Sequence, residues 1–184
     1  MNDVEKMMAE AKSVIKGHFL LSSGRHSDTY CQMALLLQYP KYCEALAEKL
    51  ATEFKGLSVN VVLGVAIGGM ILGYELSRAL GVRNIFAERQ DKVMKLRRGF
   101  CIEKGENIVI CEDVITTGGS AAEVCRLVEG LGGNIVGIAC LMERGDADLG
   151  YPVKSLLKKK VKSYEPAECP LCKQGLPVEK QGSR

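Results

Sequence analysis

The sequence has no long hydrophobic run and no strong excess of charge of either sign. No apolar segment approaches the ~20 residues that a membrane-spanning helix needs. Residues 1–17 mix charged and apolar side chains, so they lack the apolar centre of a signal peptide. The net charge of +3 is too small to indicate nucleic acid or an anionic membrane as the main partner. We therefore expect a cytoplasmic protein.

Several familiar ligand-binding patterns are also missing. There is no G-x-x-x-x-G-K-[ST], which excludes a P-loop, and residues 64–69, GVAIGG, do not fit the dinucleotide pattern G-x-G-x-x-G. The chain has two histidines, His18 and His26, and no cluster of histidines and carboxylates at metal-ligand spacing. The sequence therefore predicts no direct metal ligands of that kind.

Cysteine, in contrast, is plentiful, with eight residues. In a reducing cytosol, most of these are simply small buried hydrophobic side chains. Cys169 and Cys172 form a C-x-x-C pair, but zinc needs about four ligands, so one pair is insufficient alone. A zinc site shared across a dimer is the alternative.

Apolar strands alternate with helices over most of the chain, which predicts an α/β fold with a mostly parallel sheet covered on both faces. The pattern predicts an amphipathic helix over 2–15, two short strands within 19–32, and a helix from Pro40 towards Gly56. Further strands are expected at 59–65, 85–87, 108–111, 135–141 and 153–164, the last at an edge, with helices over 68–80 and up to residue 131.

Ligands of such sheets bind beyond the carboxyl ends of the strands. Function should therefore lie in the loops at that end, which are residues 66–70, 88–106, 112–120 and 143–150.

Residues 108–120, IVICEDVITTGGS, combine an apolar strand, two acids and a small-residue turn into a helix. Glycines and small hydroxyl residues allow successive backbone N–H groups to point at one spot, and the helix N-terminus adds partial positive charge. This is the chemistry of a phosphate cradle. Glu112 and Asp113 could accept hydrogen bonds from sugar hydroxyls or hold a cation. The alternative is a plain strand-to-helix turn.

Over these thirteen positions the segment resembles the signature with which type I phosphoribosyltransferases bind 5-phosphoribosyl-1-pyrophosphate (PRPP). The resemblance implies their fold, a central sheet with a small N-terminal hood. It implies that Glu112 and Asp113 face the ribose hydroxyls. It also implies that the 5-phosphate is held by Thr116, Thr117, Gly118, Gly119 and Ser120.

Residues 17–32, GHFLLSSGRHSDTYCQ, resemble the opening stretch of orotate phosphoribosyltransferases, and the Cys-Pro-Leu-Cys tail resembles one bacterial and archaeal branch. The resemblance implies a glycosyltransferase that makes orotidine 5′-monophosphate in pyrimidine biosynthesis. It places Tyr30, Cys31 and Thr116 at the base and pairs Arg144 with the orotate carboxylate, which suits a planar guanidinium. Arg144 could instead form a surface salt bridge, and Arg25 and His26 could be solvated hairpin positions.

By this resemblance residues 1–184 form one domain. Residues 1–35 supply a helix and part of the hood, residues 56–165 form the core sheet, and residues 166–184 form a tail that is frayed from Gln174.

The chain departs from the family pattern in three places. Ser22 stands where a lysine is usual. The segment Ala66-Ile67-Gly68-Gly69 also lacks a lysine, so pyrophosphate must be bound chiefly through backbone N–H groups of Ile67, Gly68 and Gly69. The usual loop histidine is absent.

The basic segment 88–106 is the expected lid over the pyrophosphate. Because the histidine is missing, we expect Lys92 or Lys95, with Arg89, to stabilise the charge that develops in the reaction, beside Asp113. Magnesium should arrive bound to pyrophosphate oxygens, as Mg²⁺. The family resemblance implies a homodimer in which this segment reaches the neighbour's site. A solvated run of charge is the alternative.

Two other functions remain open at this stage. One is a purine phosphoribosyltransferase, although no purine-specific hood is obvious. The other is a PRPP-sensing regulator without catalysis, which only Ser22 and the missing loop histidine favour, because the sequence shows no nucleic-acid-binding element.

Overall fold

A computed structural model describes residues 2–21 and 23–181. The strands, in chain order, are β1 Val14–Leu20, β2 His26–Cys31, β3 Val61–Val65, β4 Arg83–Gln90, β5 Val93–Leu96, β6 Asn107–Ile115, β7 Asn134–Glu143, β8 Val153–Lys158 and β9 Glu179–Lys180. The α-helices are α1 Asp3–Glu10, α2 Ala34–Leu37, α3 Pro40–Thr52, α4 Gly68–Leu80, α5 Gly119–Gly130 and α6 Pro170–Lys173.

The chain divides into two compact units. The larger consists of residues 37–159, and the smaller combines residues 1–36 with residues 160–184. Among the described residues, no helix combines the length and apolar character needed to cross a bilayer.

The larger unit is built on a six-stranded sheet in the order β5-β4-β3-β6-β7-β8. Every neighbouring pair is parallel except β4 and β5, which are antiparallel. This confirms the predicted α/β fold with a mostly parallel sheet. Strand β8 lies at the edge, as predicted.

Central strand β3 is buried along its whole length, which explains why residues 61–65 are apolar throughout instead of alternating with polar residues. Helix α3 begins with Pro40 at its first turn and buries a stripe at helical spacing, Cys43, Leu46, Ala47 and Leu50. Helix α4 ends at Gly81, whose φ of 70° is the left-handed conformation typical of a glycine C-cap.

Strand β6 is longer than the apolar run that predicts it. It continues from Asn107 to Ile115, so Glu112 and Asp113 belong to the strand instead of the loop after it. Pairing with β7 persists to Ile115 opposite Glu143, and this accounts for the extension. The two acids are thus held by sheet hydrogen bonding.

The smaller unit contains a three-stranded sheet in the order β2-β1-β9. The sequence predicts two strands within residues 19–32; β2 lies there, but β1 already begins at Val14, and the two pair antiparallel around Ser23-Gly24-Arg25. Helix α1 begins at a capping box formed by Asn2 and Glu5, but it ends at Glu10. The predicted extent to residue 15 is wrong because Val14 already starts β1.

The predicted frayed tail is also wrong for residues 174–181. Residues 179 and 180 pair in parallel with Phe19 and Leu20 of β1. Residues 182–184 lie outside the described part of the chain.

Candidate functional site

Three of the four predicted connections, those that follow β3, β6 and β7, meet at the carboxyl edge of the larger sheet. A Cβ placed on Gly68, at the start of α4, would lie 2.2 Å from Oδ2 of Asp113 on β6. A Cβ on Gly145, just after β7, would lie 2.8 Å from the carbonyl oxygen of Thr116. Arg144 N–H donates to the carbonyl of Ile115 at 2.9 Å. The segments that follow β3, β6 and β7 therefore touch one another.

The turn into α5 has the geometry of a phosphate cradle. Gly118 is the N-cap residue, with φ 75°, and a Cβ there would lie 2.8 Å from Cδ2 of Leu149. Both constraints favour glycine. Gly118 has no side chain, so the N-cap position makes no side-chain hydrogen bond to the first turn of α5. An anion placed there would also meet the positive end of the helix dipole.

Glycines also bring the α4 turn close to β6. A Cβ on Gly69 would lie 2.2 Å from the carbonyl oxygen of Cys111, and one on Gly64 would lie 2.6 Å from the carbonyl oxygen of Gly69. Neither contact leaves space for a side chain. The residues 66–69 thus run directly against the strand that carries the acids, and Ile67 there is largely exposed.

The two acids of β6 have different surroundings. Burial raises the pKa of the Asp113 carboxyl, although the N–H of Val114 donates to its Oδ1 at 2.9 Å and opposes that effect. Glu112 is half-buried. The pKa of Arg89 is raised mainly by its hydrogen bonds to Glu123, and the charge of Glu112 makes a smaller contribution in the same direction. Asp113 is therefore a desolvated acceptor, and Glu112 lies within electrostatic reach of a cation.

The first part of the predicted basic loop is a hairpin. Strands β4 and β5 pair from Ala87 opposite Leu96 to Gln90 opposite Val93, and Asp91 and Lys92 form the turn. The prediction of an irregular loop over 88–106 is wrong for residues 88–96. Met94 is buried in the core of the larger unit, which anchors the hairpin.

Most of the arginines in this segment are already engaged. Arg89 makes a two-point contact with Glu123 of α5, at 2.8 and 2.9 Å. Arg98 binds both carboxylate oxygens of Glu88, at 2.8 and 3.1 Å.

The two lysines of the hairpin are less engaged. Lys95 Nζ lies 4.0 Å from Asp91 Oδ2. Lys92 is exposed at the hairpin tip and has no ion pair among the described residues.

Arg144 leaves the end of β7 with part of its guanidinium buried. Its Nε is buried and has no hydrogen-bond partner within the described residues. A buried donor without a partner costs roughly 1–3 kcal/mol. This does not fit a solvated surface salt bridge, and it suits a group that awaits a ligand.

The remaining predicted base-pocket residues lie in different parts of the chain. Tyr30 and Cys31 end β2 in the smaller unit, where Cys31 is buried and the Tyr30 ring packs 5.7 Å from that of Phe19. Thr116 and Arg144 belong to the larger unit. Ser22 lies outside the described residues.

Arg25 and His26 are not solvated hairpin positions. Arg25 donates to the hydroxyl and carbonyl of Ser163, both at 2.9 Å, and pairs with Glu165. His26 is buried.

The structure reveals a second cluster that the sequence analysis missed. His18, His26, Cys169 and Cys172 come together in the smaller unit, with one potential ligand atom of each within 4.8 Å of the others. His18 and Cys169 are 151 positions apart, so no local spacing links them. The C-x-x-C pair was visible in the sequence, but no local pattern linked it to the two histidines that complete the cluster.

Comparisons with known proteins show the family to which the chain belongs. The family described as "Phosphoribosyl transferase domain" matches residues 36–165. An orotate phosphoribosyltransferase of Caldanaerobacter subterraneus subsp. tengcongensis is 53% identical over 183 residues, covering 98% of this chain and 96% of that protein.

Solved structures share the fold. The orotate phosphoribosyltransferase of Aeropyrum pernix matches with a TM-score of 0.71 and 26% identity, over 84% of this chain and 93% of that one. The adenine phosphoribosyltransferase of Thermoanaerobacter pseudethanolicus matches with a TM-score of 0.63 and 23% identity, over 71% and 88%. The second similarity shows the fold alone, because enzymes that act on different bases share it.

Proposed function

Since this chain belongs to the phosphoribosyltransferase family, and within it to the orotate phosphoribosyltransferases, we propose that it converts orotate and PRPP into orotidine 5′-monophosphate and pyrophosphate. This is a step of pyrimidine biosynthesis. The observation that carries the proposal is the contact of three connections around Asp113, where the Gly68 turn, the Gly118 turn and the start of residues 144–150 meet.

The cradle at the start of α5 suits the 5-phosphate of PRPP. Backbone N–H groups of residues 116–120 would bind the phosphate oxygens, and the helix dipole would stabilise their charge. Glu112 and Asp113 would accept hydrogen bonds from the ribose hydroxyls. Charge-assisted bonds of this kind are stronger than neutral ones, which favours a sugar over a phosphate alone.

The pyrophosphate would lie against residues 67–69. Gly68 and Gly69 pack too closely against β6 to carry side chains, so these two positions can bind a ligand through their backbone N–H groups. We expect the N–H groups of Ile67, Gly68 and Gly69 to bind pyrophosphate, with Mg²⁺ arriving on the substrate. The carboxylates of β6 are oxygen donors of the kind that Mg²⁺ prefers.

In the reaction, a ring nitrogen of orotate attacks C1 of the ribose with its lone pair. The C1–oxygen bond breaks, its electron pair leaves with pyrophosphate, and the nitrogen loses its proton. Positive charge builds on the ribose and negative charge on the leaving group. Lys92 or Lys95, with Arg89, would stabilise the negative charge, and closure of the hairpin would exclude water.

Arg144 would bind the orotate carboxylate. Its buried Nε has no partner in the described chain, and a carboxylate accepts two parallel hydrogen bonds from a guanidinium. The backbone of Tyr30 and Cys31 and the side chain of Thr116 would complete the recognition of the base.

We further propose a homodimer. Ile67, Ile71 and Tyr74 are exposed to 71%, 47% and 63% and follow one another at helical spacing along α4. An apolar stripe of this kind favours contact with another protein surface. In such a dimer the β4–β5 hairpin would supply its lysines to the neighbour's site.

A substrate comparison tests the function. Purified protein, PRPP and Mg²⁺ are incubated separately with orotate, hypoxanthine and adenine, and nucleotide and pyrophosphate are measured. We expect both products with orotate alone. Turnover with a purine would establish the purine alternative, and PRPP binding without pyrophosphate release in the presence of orotate would establish the sensor.

A further inference from the structure

We propose that the smaller unit holds a structural zinc ion, bound by His18, His26, Cys169 and Cys172. These residues take no part in the proposed transfer reaction. His18, His26 and Cys169 are buried, and Cys172 lies at the surface. Two imidazoles and two thiols are the ligand set of a closed tetrahedral zinc site.

The distances between the ligand atoms fit such a site. Cys169 Sγ lies 3.4 Å from His18 Nε2, and Cys172 Sγ lies 3.7 Å from His18 Nε2 and 3.3 Å from His26 Nδ1. Zinc bonds of ~2.0–2.1 Å to nitrogen and ~2.3 Å to sulfur give tetrahedral edges of roughly 3.3 to 3.8 Å. These three sulfur–nitrogen distances fall in that range, while the remaining pairs of ligand atoms lie within 4.8 Å and would draw together around the ion.

The two histidine nitrogens are closer. His18 Nε2 and His26 Nδ1 lie 2.9 Å apart, so zinc binding would separate them by about 0.4 Å. Two lone pairs repel at this separation unless a proton or a cation lies between them. A proton on His26 Nδ1 satisfies this contact as a neutral hydrogen bond, and a zinc ion at the centre of the cluster would replace that proton.

The surroundings of His18 select the tautomer that a metal needs. His18 Nδ1 lies 2.9 Å from the carbonyl oxygen of Leu176, which can only accept a hydrogen bond. Nδ1 must therefore carry the proton, and in the neutral ring Nε2 has its lone pair directed at the cluster. A backbone carbonyl on the second ring nitrogen is the usual outer partner of a zinc-bound histidine.

Local structure brings both pairs into position. His18 lies within a register shift in β1, between Lys16 and Phe19, and His26 begins the antiparallel β2. Cys169 precedes α6, Pro170 stands in its first turn, and this short turn carries Cys172. The β1–β2 hairpin thus supplies two nitrogen ligands, and the short turn of α6 supplies two sulfur ligands.

A zinc ion here would join the two ends of the chain. The first 36 residues and residues 160–184 share this unit, which is too short to bury a large core. Hydrogen bonds also link them, such as the backbone bonds between His26 and Tyr164 at 2.8 and 2.9 Å. Small units of this kind are commonly stabilised by a structural metal.

Metal content of the full-length protein, purified without chelator under reducing conditions, tests the proposal. We expect about one zinc per chain and X-ray absorption showing two sulfur and two nitrogen neighbours at ~2.3 and ~2.0 Å. If the isolated protein lacks zinc, it is titrated with Zn²⁺ while free thiols are counted. Failure to take up zinc, or a Cys169–Cys172 disulfide in the reduced preparation, would overturn it.

Variants locate the ion. Cys169→Ser and Cys172→Ser should each weaken zinc binding by at least about 10-fold, because a neutral hydroxyl replaces a thiolate ligand. Cys101→Ser is the matched control, since Cys101 is an exposed thiol of the larger unit. Equal zinc content in all three variants would place the metal elsewhere and refute the site. If a variant fails to fold, the spectrum of Co²⁺ bound to the unmodified chain reports thiolate ligation directly.

Discussion

The binding role proposed for Asp113 comes with a cost in stability. Burial raises the pKa of its carboxyl, so the folded protein holds a proton more tightly than the unfolded chain. Between the two pKa values the folded state binds more protons, and the free energy of unfolding therefore decreases as pH rises through that window. In the proposed site the ionised carboxylate accepts hydrogen bonds from the sugar hydroxyls. The form that binds the sugar is therefore the form that lowers the stability of the fold.

We predict that Asp113→Asn greatly reduces the use of PRPP while the fold persists. The free energy of unfolding of this variant, relative to that of the natural chain, should increase as pH rises, since asparagine does not titrate and the variant lacks the loss of stability that Asp113 causes. Urea unfolding at several pH values above and below the ordinary aspartate range measures this difference. A difference that stays constant with pH would mean that Asp113 is not desolvated as the structure shows.

Arg144 allows a second test at the residue scale. Arg144→Ala should raise the KM for orotate by about 10- to 100-fold, since a hydrogen bond to a charged group contributes ~1.5–3 kcal/mol. The KM for PRPP should change far less. Steady-state kinetics of Arg126→Ala, an exposed arginine on α5, provide the control. Equal effects of Arg144→Ala on both substrates would contradict its assignment to the carboxylate.

The turns at the carboxyl edge of the sheet decide whether the site can form. Gly68→Ala should impair PRPP binding because the new Cβ would lie 2.2 Å from Asp113, and one of the two must move. Gly130→Ala, at the end of α5, meets nothing within 4 Å and should be tolerated or slightly stabilising. PRPP affinity and thermal unfolding of both variants are to be measured. Equal affinities would show that the approach of Gly68 to Asp113 is not needed.

The same elements show what local sequence can predict. The strand-to-helix turn at Gly118 was predictable because the strand, the acids and the small-residue turn are contiguous in residues 108–120. The β4–β5 hairpin was not, because its turn residues Asp91 and Lys92 adopt φ of 51° and 67°, where glycine is the usual signal.

Features that depend on distant partners also escaped prediction. Strand β9 is two residues long and forms through pairing with β1, near the other end of the chain. The histidine–cysteine cluster likewise needs residues that are 151 positions apart. A local pattern contains no information about such partners.

At the scale of the whole molecule, the proposed homodimer can be tested by mixing two inactive variants. If the hairpin serves the neighbour's site, a mixed dimer of Asp113→Asn and Lys92→Ala chains contains one complete site. An equal mixture should regain about a quarter of the natural activity, because half of the dimers are mixed and each has one working site of two.

Coexpression with two different affinity tags allows the mixed dimers to be isolated and assayed. Each variant alone is the control. Mixed dimers without activity would show that Lys92 acts in its own chain, and activity of the Lys92→Ala chain alone would show that Lys92 is not needed.

Calorimetric titration with PRPP and Mg²⁺, without orotate, measures most directly whether the turn around Gly118 and the acids of β6 form a sugar-phosphate site. We expect one PRPP bound per chain, and binding about 10- to 100-fold weaker in Asp113→Asn, which loses a charged hydrogen-bond acceptor. Absence of binding to the folded natural protein, or equal affinity in the variant, would contradict the central claim.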